Sequence, residues 1–278
     1  MRSQVMIEVA HRVAAENTPL LCSRAPTSCL PRGARLLRQA LDIMIPAGYV
    51  IHTAVLNSAD NGALPQARRR SFVVGIHEDA PRRDVAFPTR VPCMAPSELL
   101  APISATDDPG RRPTAPVAKQ AVDAAWEMVR TKPQYAAYSQ PRNDWLVPTR
   151  HGRKWAHCWA PRSKMPVMTH SDPKGPWVAS RGRYLSQAEL LRFQGIDARR
   201  WQWPHGASKG ALAGNAMTVT LIARIMRSLV ACATGDPPTP DPILSGALQR
   251  ELREAAMAET GPSPGSTLRA AFERTRVT

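Results

Sequence analysis

The sequence predicts an α/β fold, mainly from three stretches. Residues 49–56 and 71–76 are β-branched and aromatic runs, and the polar segment between them contains Asn61-Gly62, so the order is strand, loop, strand. Just before them, residues 33–47 carry apolar side chains at helical spacing and end at a proline and a glycine. A turn, a helix and two strands in this order suit one half of an α/β sheet.

Further helices are predicted on both sides of this core. Residues 1–15 are apolar at helical spacing, although their last three residues would also suit the end of a strand. Residues 117–130 fit a helix, and Ser186-x-x-Glu189 is a capping box that begins a short one. A long helix with one apolar face follows Gly214-Asn215. After a proline-rich linker, residues 243–258 suit an amphipathic helix, and we expect the remainder to be disordered.

Composition narrows the classes of partner. A chain of 278 residues with 43% apolar content can bury a real core. The net charge of +15 and the sequence pI near 10.6 indicate a polyanionic partner, with nucleic acid foremost. No run approaches the ~20 apolar residues of a membrane-spanning helix, and no basic amphipathic anchor is evident, so a membrane partner is not expected.

The cysteines predict neither a disulfide framework nor a zinc site. They are five in number and scattered, with no close pair of the kind that binds zinc. The N-terminus lacks the long apolar core of a secretion signal. We therefore expect reduced thiols, no metal, and an intracellular protein.

The most distinctive polar segment is Gln66-Ala67-Arg68-Arg69-Arg70, in the loop between the two predicted strands. Guanidinium groups offer planar, paired donors that suit phosphate or the edge of a base. Taken alone, three arginines more often form a solvated basic patch.

A second basic interval lies between residues 145 and 183. Its lysines and arginines far outnumber its acids, and tryptophans are interleaved with them. This mixture suits contact with the DNA backbone together with stacking on bases, although we expect most of these tryptophans to be buried. The predicted phosphate contacts are Arg150, Arg153, Lys154, Arg162, Lys164, Lys174, Arg181 and Arg183.

Three segments, in order, resemble DNA (cytosine-5) methyltransferases. The stretch Pro-Gln-x-Arg-x-Arg-x-Phe-Val-Val-Gly around Gln66 resembles the QxRxR motif of that family. Residues 183–196 resemble its R-x-L-(S/T)-x-x-E-x-x-x-x-Q-G-(F/I) segment, and residues 214–219 resemble its GNA-x-x-V segment. A Glu16-Asn17-Thr18 sequence is similar to the family's E-N-V. The resemblance covers roughly residues 10–230.

The resemblance implies an α/β fold: the second half of a Rossmann-like methyltransferase sheet, with a smaller, loop-rich target-recognition domain. The expected division is residues 1–77 for half of the catalytic domain, 78–180 for target recognition, 181–234 for the return to the catalytic domain, and 235–278 for a proline-rich linker and tail.

It also implies functional residues and a cofactor. A flipped cytosine would be held by Glu16, Arg68 and Arg70, with Gln66 bracing the loop. S-adenosylmethionine would lie against Asn215 and Ala216. The expected substrate is double-stranded DNA, and the expected activity is DNA (cytosine-5-)-methyltransferase, in the nucleus of a eukaryote or otherwise in the cytoplasm or nucleoid.

Some segments of the resembled family have no counterpart here, namely the cofactor loop and the Pro-Cys-Gln nucleophile. Pro92-Cys93 follows the QxRxR segment instead of preceding it, so we do not expect it to be the nucleophile. Because methyl transfer to cytosine needs a thiolate at carbon 6, we expect this chain alone to be inactive. It would be a fragment, a degenerate copy, or a subunit completed by a second chain. The alternative is a basic nucleic-acid-binding module without enzymatic ancestry.

Overall fold

The structure is a computed structural model. It describes residues 2–16, 20–26, 30–82, 84–139, 144–150, 152, 164–168, 174–200, 210, 213–214 and 216–259. These form two compact units. Unit 1 comprises Met1–Ala63, Ala67–Cys93 and Thr218–Ser245, and unit 2 comprises Leu64–Gln66, Met94–Met217 and Gly246–Thr278.

Unit 1 contains a sheet of three antiparallel strands in the order β1-β3-β2. Its elements in chain order are α1 (Arg2–Ala15), β1 (Leu20–Pro26), α2 (Leu30–Met44), β2 (Tyr49–Asn57), α3 (Ser58–Asn61), β3 (Arg69–His77) and α6 (Val219–Thr234). The predicted helix, strand, loop and strand are therefore present, and the N-terminal segment is a helix.

Successive strand residues point to opposite sides of the sheet, and helices pack against both faces. Phe72, Val74 and Ile76 lie on the face that packs against Leu221 and Ile225 of α6. The opposite face packs against α2. There Tyr49 of β2 shares a core with Ala40 and Met44 of α2 and with Ala10 of α1. Gly75 leaves room there, since a Cβ at this position would lie 2.7 Å from the Met44 Cε atom.

Unit 1 continues past the predicted boundary at residue 77. The Arg82 N–H donates to the Cys232 carbonyl at 3.2 Å, and the Ala86 N–H donates to Ser228 Oγ. Phe87 packs against the core between β3 and α6. The chain from Arg82 to Phe87 is therefore extended along α6 in unit 1, although the resemblance implied that target recognition begins at residue 78.

Unit 2 combines short strands and helices with long loops. Its elements are α4 (Pro116–Thr131), β4 (Leu146–Val147), β5 (Trp177–Val178), β6 (Arg183–Tyr184), α5 (Gln187–Arg192) and α7 (Ala247–Met257), with 3₁₀ turns at Pro96–Glu98, Pro133–Ser139 and Ala198–Arg200. The short strands form an antiparallel sheet in the order β4-β5-β6. The predicted capping box is present, because Ser186 and Glu189 exchange side-chain and backbone hydrogen bonds.

The tail does not begin where the sequence suggested. Leu252 of α7 is buried in the main core of unit 2, and Glu251 forms an ion pair with Arg200 at 3.0 Å. Arg253 forms another ion pair, with Glu98. The amphipathic helix predicted at residues 243–258 is therefore part of a folded unit, and the predicted disordered remainder lies outside the described residues.

The fold prediction is met at the level of a mixed α/β architecture. Within the described residues the main sheet is wholly antiparallel. No helix in this part of the chain is long and apolar enough to cross a membrane. The same residues hold no cluster of His, Cys, Asp and Glu suited to a metal ion.

Candidate functional site

The loop between β2 and β3 contains Gln66 and Arg68, and Arg70 lies at the start of β3. It starts with Asn57, which caps α3, and ends where β3 begins at Arg69. Asn57 lies directly opposite Arg69 in the antiparallel register, so the chain reverses direction between these two residues. The loop is thus fixed at both ends by the same pair of strands.

Asn57 is the hub of this loop. Its Oδ1 atom accepts from the Arg68 N–H at 3.0 Å, and its Nδ2 donates to Asp60 Oδ2 at 2.8 Å. The Ser58 N–H donates to the Arg68 carbonyl at 3.1 Å. The backbone of Arg68 is therefore held on both its N–H and its C=O. No role was predicted for Asn57, although an Asn at the end of a strand is a signal for such a cap.

Helix α6 holds the other side of the loop. Thr220 Oγ1 donates to the Gly62 carbonyl at 2.6 Å, and the hydroxyls of Ser58 and Thr218 lie 2.7 Å apart. Gly62 is needed here because a Cβ would lie 2.8 Å from the Ser58 carbonyl oxygen.

A buried arginine of α6 reinforces this contact. Arg224 donates through Nη1 to the carbonyls of Asn61 and Thr89, at 2.6 and 2.8 Å, and through Nε to Asp241 at 2.7 Å. Burial alone would raise the pKa of Asp241, but the hydrogen bonds and charge of Arg224 outweigh it, so that pKa is lowered. Arg224 was not among the predicted site residues, because an arginine on a helix gives no sign that it will be buried.

The two predicted arginines differ in exposure. Arg68 is 3% exposed, whereas Arg70 is half-buried and donates through Nη1 to the Arg69 carbonyl at 2.7 Å. Arg70 lies opposite Leu56 of β2 in the register, and Arg69 is exposed. Two guanidinium groups at this end of the sheet can serve as fixed, planar donors to an oxygen acceptor.

Gln66 does not brace the loop through its side chain. It is fully buried, yet neither its Nε2 nor its Oε1 atom has a hydrogen-bond partner. Each such buried polar group costs about 1–3 kcal/mol. The backbone of Gln66 is held instead, since its N–H donates to the Leu64 carbonyl and the residue forms a parallel bridge with Met165.

Glu16 is not near Arg70, which corrects the predicted constellation. Glu16 lies in the turn after α1, and Tyr49 Oη donates to the Val13 carbonyl, which places the end of α1 beside the Tyr49 end of the sheet. Arg70 lies opposite Leu56, at the other end of the strands. Seven residue steps of roughly 3.3 Å separate these ends along β2, far more than one pyrimidine ring spans. Glu16 instead forms an exposed ion pair with Arg12 at 2.9 Å.

The predicted cofactor residues are only partly described. Asn215 lies outside the described residues, and Ala216 is half-buried just before Thr218, the N-cap of α6. Ala216 can offer a cofactor its backbone but no polar side chain. This part of the chain, so far as the structure describes it, does not build an S-adenosylmethionine pocket.

Three of the predicted phosphate contacts are available at the surface of unit 2. Arg150 and Lys174 are exposed, and Lys164 is half-buried. The Lys174 Nζ atom lies 5.6 Å from the ring centroid of Tyr184, a cation–π contact. Arg153, Lys154 and Arg162 lie outside the described residues.

Arg181 and Arg183 are used inside unit 2, so we give them a structural role. Arg183 holds Glu189 with two hydrogen bonds of 2.7 and 2.9 Å and donates through Nε to Asp107 at 3.0 Å. Arg181 is 5% exposed and forms ion pairs with Asp107 and Asp144. Charges committed to buried carboxylates are not free to neutralise phosphate.

The ion pairs of this network shift the pKa values of its members. Burial alone would raise the pKa of Glu189, but the hydrogen bonds and charge of Arg183 outweigh it, so the pKa lies below its ordinary value. Burial alone would lower the pKa of Arg183, and Glu189 and Asp107 reverse that effect. Both groups therefore stay charged at neutral pH.

The tryptophans and cysteines of the described residues are mostly structural. Trp145 and Trp177 are buried in the core between α4 and the small sheet, as predicted, whereas Trp155 and Trp159 lie outside the described residues. Cys232 is buried, and burial raises the pKa of its thiol, which opposes a nucleophilic role.

Solved structures of methyltransferases share the fold of this chain at low sequence identity. A methyltransferase of Entamoeba histolytica, EhMeth, aligns with a TM-score of 0.51 and 13% identity, over 82% of this chain and 68% of that one. An Escherichia coli prophage protein assigned as a DNA modification methyltransferase aligns with a TM-score of 0.52 and 13% identity, over 84% of this chain and 75% of that one. No curated protein matches the chain in sequence.

A family model described as C-5 cytosine-specific DNA methylase matches residues 13–231. The match includes the loop between β2 and β3, which we call the arginine loop, together with the segment from β6 through α5, and α6. Because it spans most of the chain, it decides against a nucleic-acid-binding module without enzymatic ancestry. The chain belongs to the C-5 cytosine-specific DNA methylase family.

Proposed function

We propose that this protein takes part in methylation of cytosine at carbon 5 in double-stranded DNA, with S-adenosylmethionine as methyl donor. The observation that carries the proposal is the loop between β2 and β3. Its backbone is held by Asn57 and by α6, and it presents Arg68 and Arg70 two residues apart where β3 begins. That spacing in extended chain turns two side chains to one face.

Arg68 and Arg70 hold a base that has left the duplex stack. A guanidinium donates to the exocyclic oxygen of cytosine, and its planar fork limits how the ring can tilt. The burial of Arg68 strengthens such a contact because the local dielectric is lower than that of water. Glu16 is omitted from this proposal because it lies at the other end of the sheet.

DNA approaches unit 2 through three cations that are exposed or half-buried. Arg150, Lys164 and Lys174 contact phosphates, and the net charge of +15 favours association with a polyanion. Arg153, Lys154 and Arg162 are assigned to the same role from the sequence alone.

We assign the nucleophile to neither Cys93 nor Cys232, and a second chain that carries the remaining methyltransferase segments is one source of the thiolate. A thiolate must attack carbon 6 of the ring before carbon 5 can take the methyl group. Cys232 is buried with a raised pKa, and Cys93 lies in an exposed, proline-rich coil. A copy that binds DNA without transferring methyl groups is the alternative.

The test is transfer of a labelled methyl group from S-adenosylmethionine to unmethylated genomic DNA. We expect transfer when the chain is purified with a partner that supplies the thiolate, and loss of transfer on Arg70→Leu. Transfer by the chain alone that disappears in Cys93→Ser would overturn the assignment of the nucleophile. Failure to retain any duplex DNA at low salt would overturn the role in DNA methylation.

A further inference from the structure

The chain crosses between the two units twice within the arginine loop. Unit 1 runs to Ala63 and resumes at Ala67, while Leu64–Gln66 belongs to unit 2. Three residues of unit 2 are therefore inserted between the end of β2 and the two arginines. The QxRxR segment is divided by this crossing, with Gln66 in unit 2 and Arg68 in unit 1.

Within unit 1, the loop is anchored immediately on either side of the crossing. The Gly62 carbonyl accepts from Thr220, and Arg68 is held by Asn57 and Ser58 through its backbone. Little slack remains between these anchors and the inserted tip. Gln66 and Arg68 are two Cα steps apart, which is at most about 7 Å of chain.

Within unit 2, the tip is held by a strand-like contact and by the core. The Met165 N–H donates to the Pro65 carbonyl at 2.5 Å, and Met165 pairs with Gln66 as a parallel bridge. Leu64 is 1% exposed and belongs to the same buried cluster as Met165 and Leu191. We call the contacts of Leu64, Pro65 and Gln66 with Met165 and this cluster the clasp.

The backbone at the first crossing indicates that the clasp, and not local preference, sets the path of the loop. Ala63 has φ of +58°, a conformation that costs an L-residue energy and is found where surrounding structure imposes it. The chain adopts it directly before Leu64 enters the core of unit 2.

We propose that Leu64 and Met165 are positioning residues for Arg68 and Arg70, so that the clasp sets the order of the base-holding arginines. This rests on the proposed role of those arginines. Lys164, an expected phosphate contact, directly precedes Met165. A duplex that orders Lys164 therefore also orders Met165, the clasp and, two residues further, Arg68. Target recognition and base holding are coupled through this short path.

The test compares two buried leucines, of which only Leu64 belongs to the inserted tip of the loop. Leu64 and Leu191 are each 1% exposed in the same core, but Leu191 lies on α5. Hydrogen exchange is measured at the Arg68 and Ser58 amides of the full chain without DNA. Leu64→Ala should speed exchange at both amides about tenfold, the factor that corresponds to about 1.4 kcal/mol. Leu191→Ala should leave both amides unchanged while loosening unit 2.

Two outcomes would overturn the coupling: unchanged exchange at Arg68 in Leu64→Ala, or equal acceleration in both variants. If Leu64→Ala does not fold, Leu64→Val and Leu191→Val make the same comparison at smaller cost. Leu64→Met conserves volume and should restore slow exchange at Arg68.

A second arm separates this inference from the proposed function. Adding an unmethylated GC-rich duplex should slow exchange at Arg68 in the wild-type chain and leave it fast in Leu64→Ala. If the duplex does not bind the wild-type chain, the proposed function fails while the DNA-free comparison still decides the coupling. If the duplex binds and slows Arg68 equally in both chains, the coupling fails and DNA binding stands.

Discussion

Two sets of arginines, both in segments that resemble the same family, differ in what holds them in place. Arg183 and Arg192 of unit 2 are committed to carboxylates and a carbonyl, and Arg192 is almost fully buried. Arg68 and Arg70 of unit 1 lie at the end of a sheet, on a loop held largely through its backbone. Resemblance of a motif therefore locates an arginine without saying whether it serves the fold or a ligand.

The largest effect expected from this comparison is the loss of a buried carboxylate. Glu189→Ala leaves Arg183 facing Asp107 alone and removes acceptors for two backbone N–H groups, those of Ala101 and Ser186. Breaking such a buried pair costs about 3–5 kcal/mol. Urea unfolding should show this loss.

The matched control is another carboxylate that pairs with two cations. Asp123 of α4 contacts Arg112 and Lys119 but is 42% exposed in its side chain. Asp123→Ala should cost no more than about 1 kcal/mol, as exposed ion pairs do. Equal losses in Asp123→Ala and Glu189→Ala would contradict the structural role given to the arginines of unit 2.

Acid should weaken the same network. The folded pKa of Glu189 lies below its unfolded value, so its contribution is fully present above about pH 4.3 and is lost as pH falls through the folded pKa. Asp241 of unit 1 behaves likewise, because Arg224 outweighs the effect of its burial.

The free energy of unfolding, measured from neutral pH down to about pH 3, should fall less steeply in Glu189→Gln than in the wild-type chain. Glu189→Gln starts from a lower stability at neutral pH, because the amide cannot offer Arg183 a charge. Parallel curves for the two chains would mean that Glu189 is not held below its ordinary pKa.

A third comparison concerns two glutamines that are both fully buried. Gln194 donates to the Ala213 carbonyl at 2.8 Å, whereas the amide of Gln66 has no hydrogen-bond partner. Gln194→Leu should destabilise by about 1–3 kcal/mol, because it leaves a buried carbonyl unsatisfied. Gln66→Leu should be neutral or stabilising.

Urea unfolding of the two variants side by side decides this point. A loss of stability in Gln66→Leu comparable to that in Gln194→Leu would mean that the Gln66 amide is satisfied in solution. The loop would then be braced through that side chain, as the sequence first suggested.

The smallest effect is expected at the surface of unit 2. Lys174→Met removes one phosphate contact, so the slope of log affinity for duplex DNA against log salt should become shallower by about 0.9. Lys119→Met is the control, because Lys119 is paired with Asp123 at 2.6 Å. A salt slope that changes in Lys119→Met but not in Lys174→Met would place the DNA on another face.

Much of the fold could be predicted because its signals are local. The strands on either side of Asn61-Gly62, the capping box at Ser186 and the helix from Val219 all follow from residues close together in sequence. The division into units could not be predicted, since it depends on Leu64–Gln66 joining a core whose other members begin at Met94.

The site was predicted in part for the same reason. Arg68 and Arg70 lie on the predicted loop, but the distance of Glu16 from them depends on how β1 pairs with β3. Arg224 and Met165 were missed because their roles arise from contacts with residues distant in sequence. Burial of Arg181 and Arg183 was missed because their acidic partners, Asp107 among them, lie outside the basic interval that drew attention to them.

The claim that the loop arginines serve the base can be tested by photocrosslinking. A duplex in which 5-iodocytosine replaces cytosine requires no knowledge of the target sequence. After irradiation, the crosslinked peptides are identified by mass spectrometry. We expect a crosslink within residues 58–77 in the wild-type chain, with Arg69→Leu as control because Arg69 is exposed beside the two site arginines.

The account predicts that this crosslink disappears in Arg70→Leu and persists in Arg69→Leu, while crosslinks within unit 2 are retained in both variants. A crosslink to residues 58–77 that survives Arg70→Leu, or that never forms although the duplex is bound, would contradict the assignment of Arg68 and Arg70 to the flipped base.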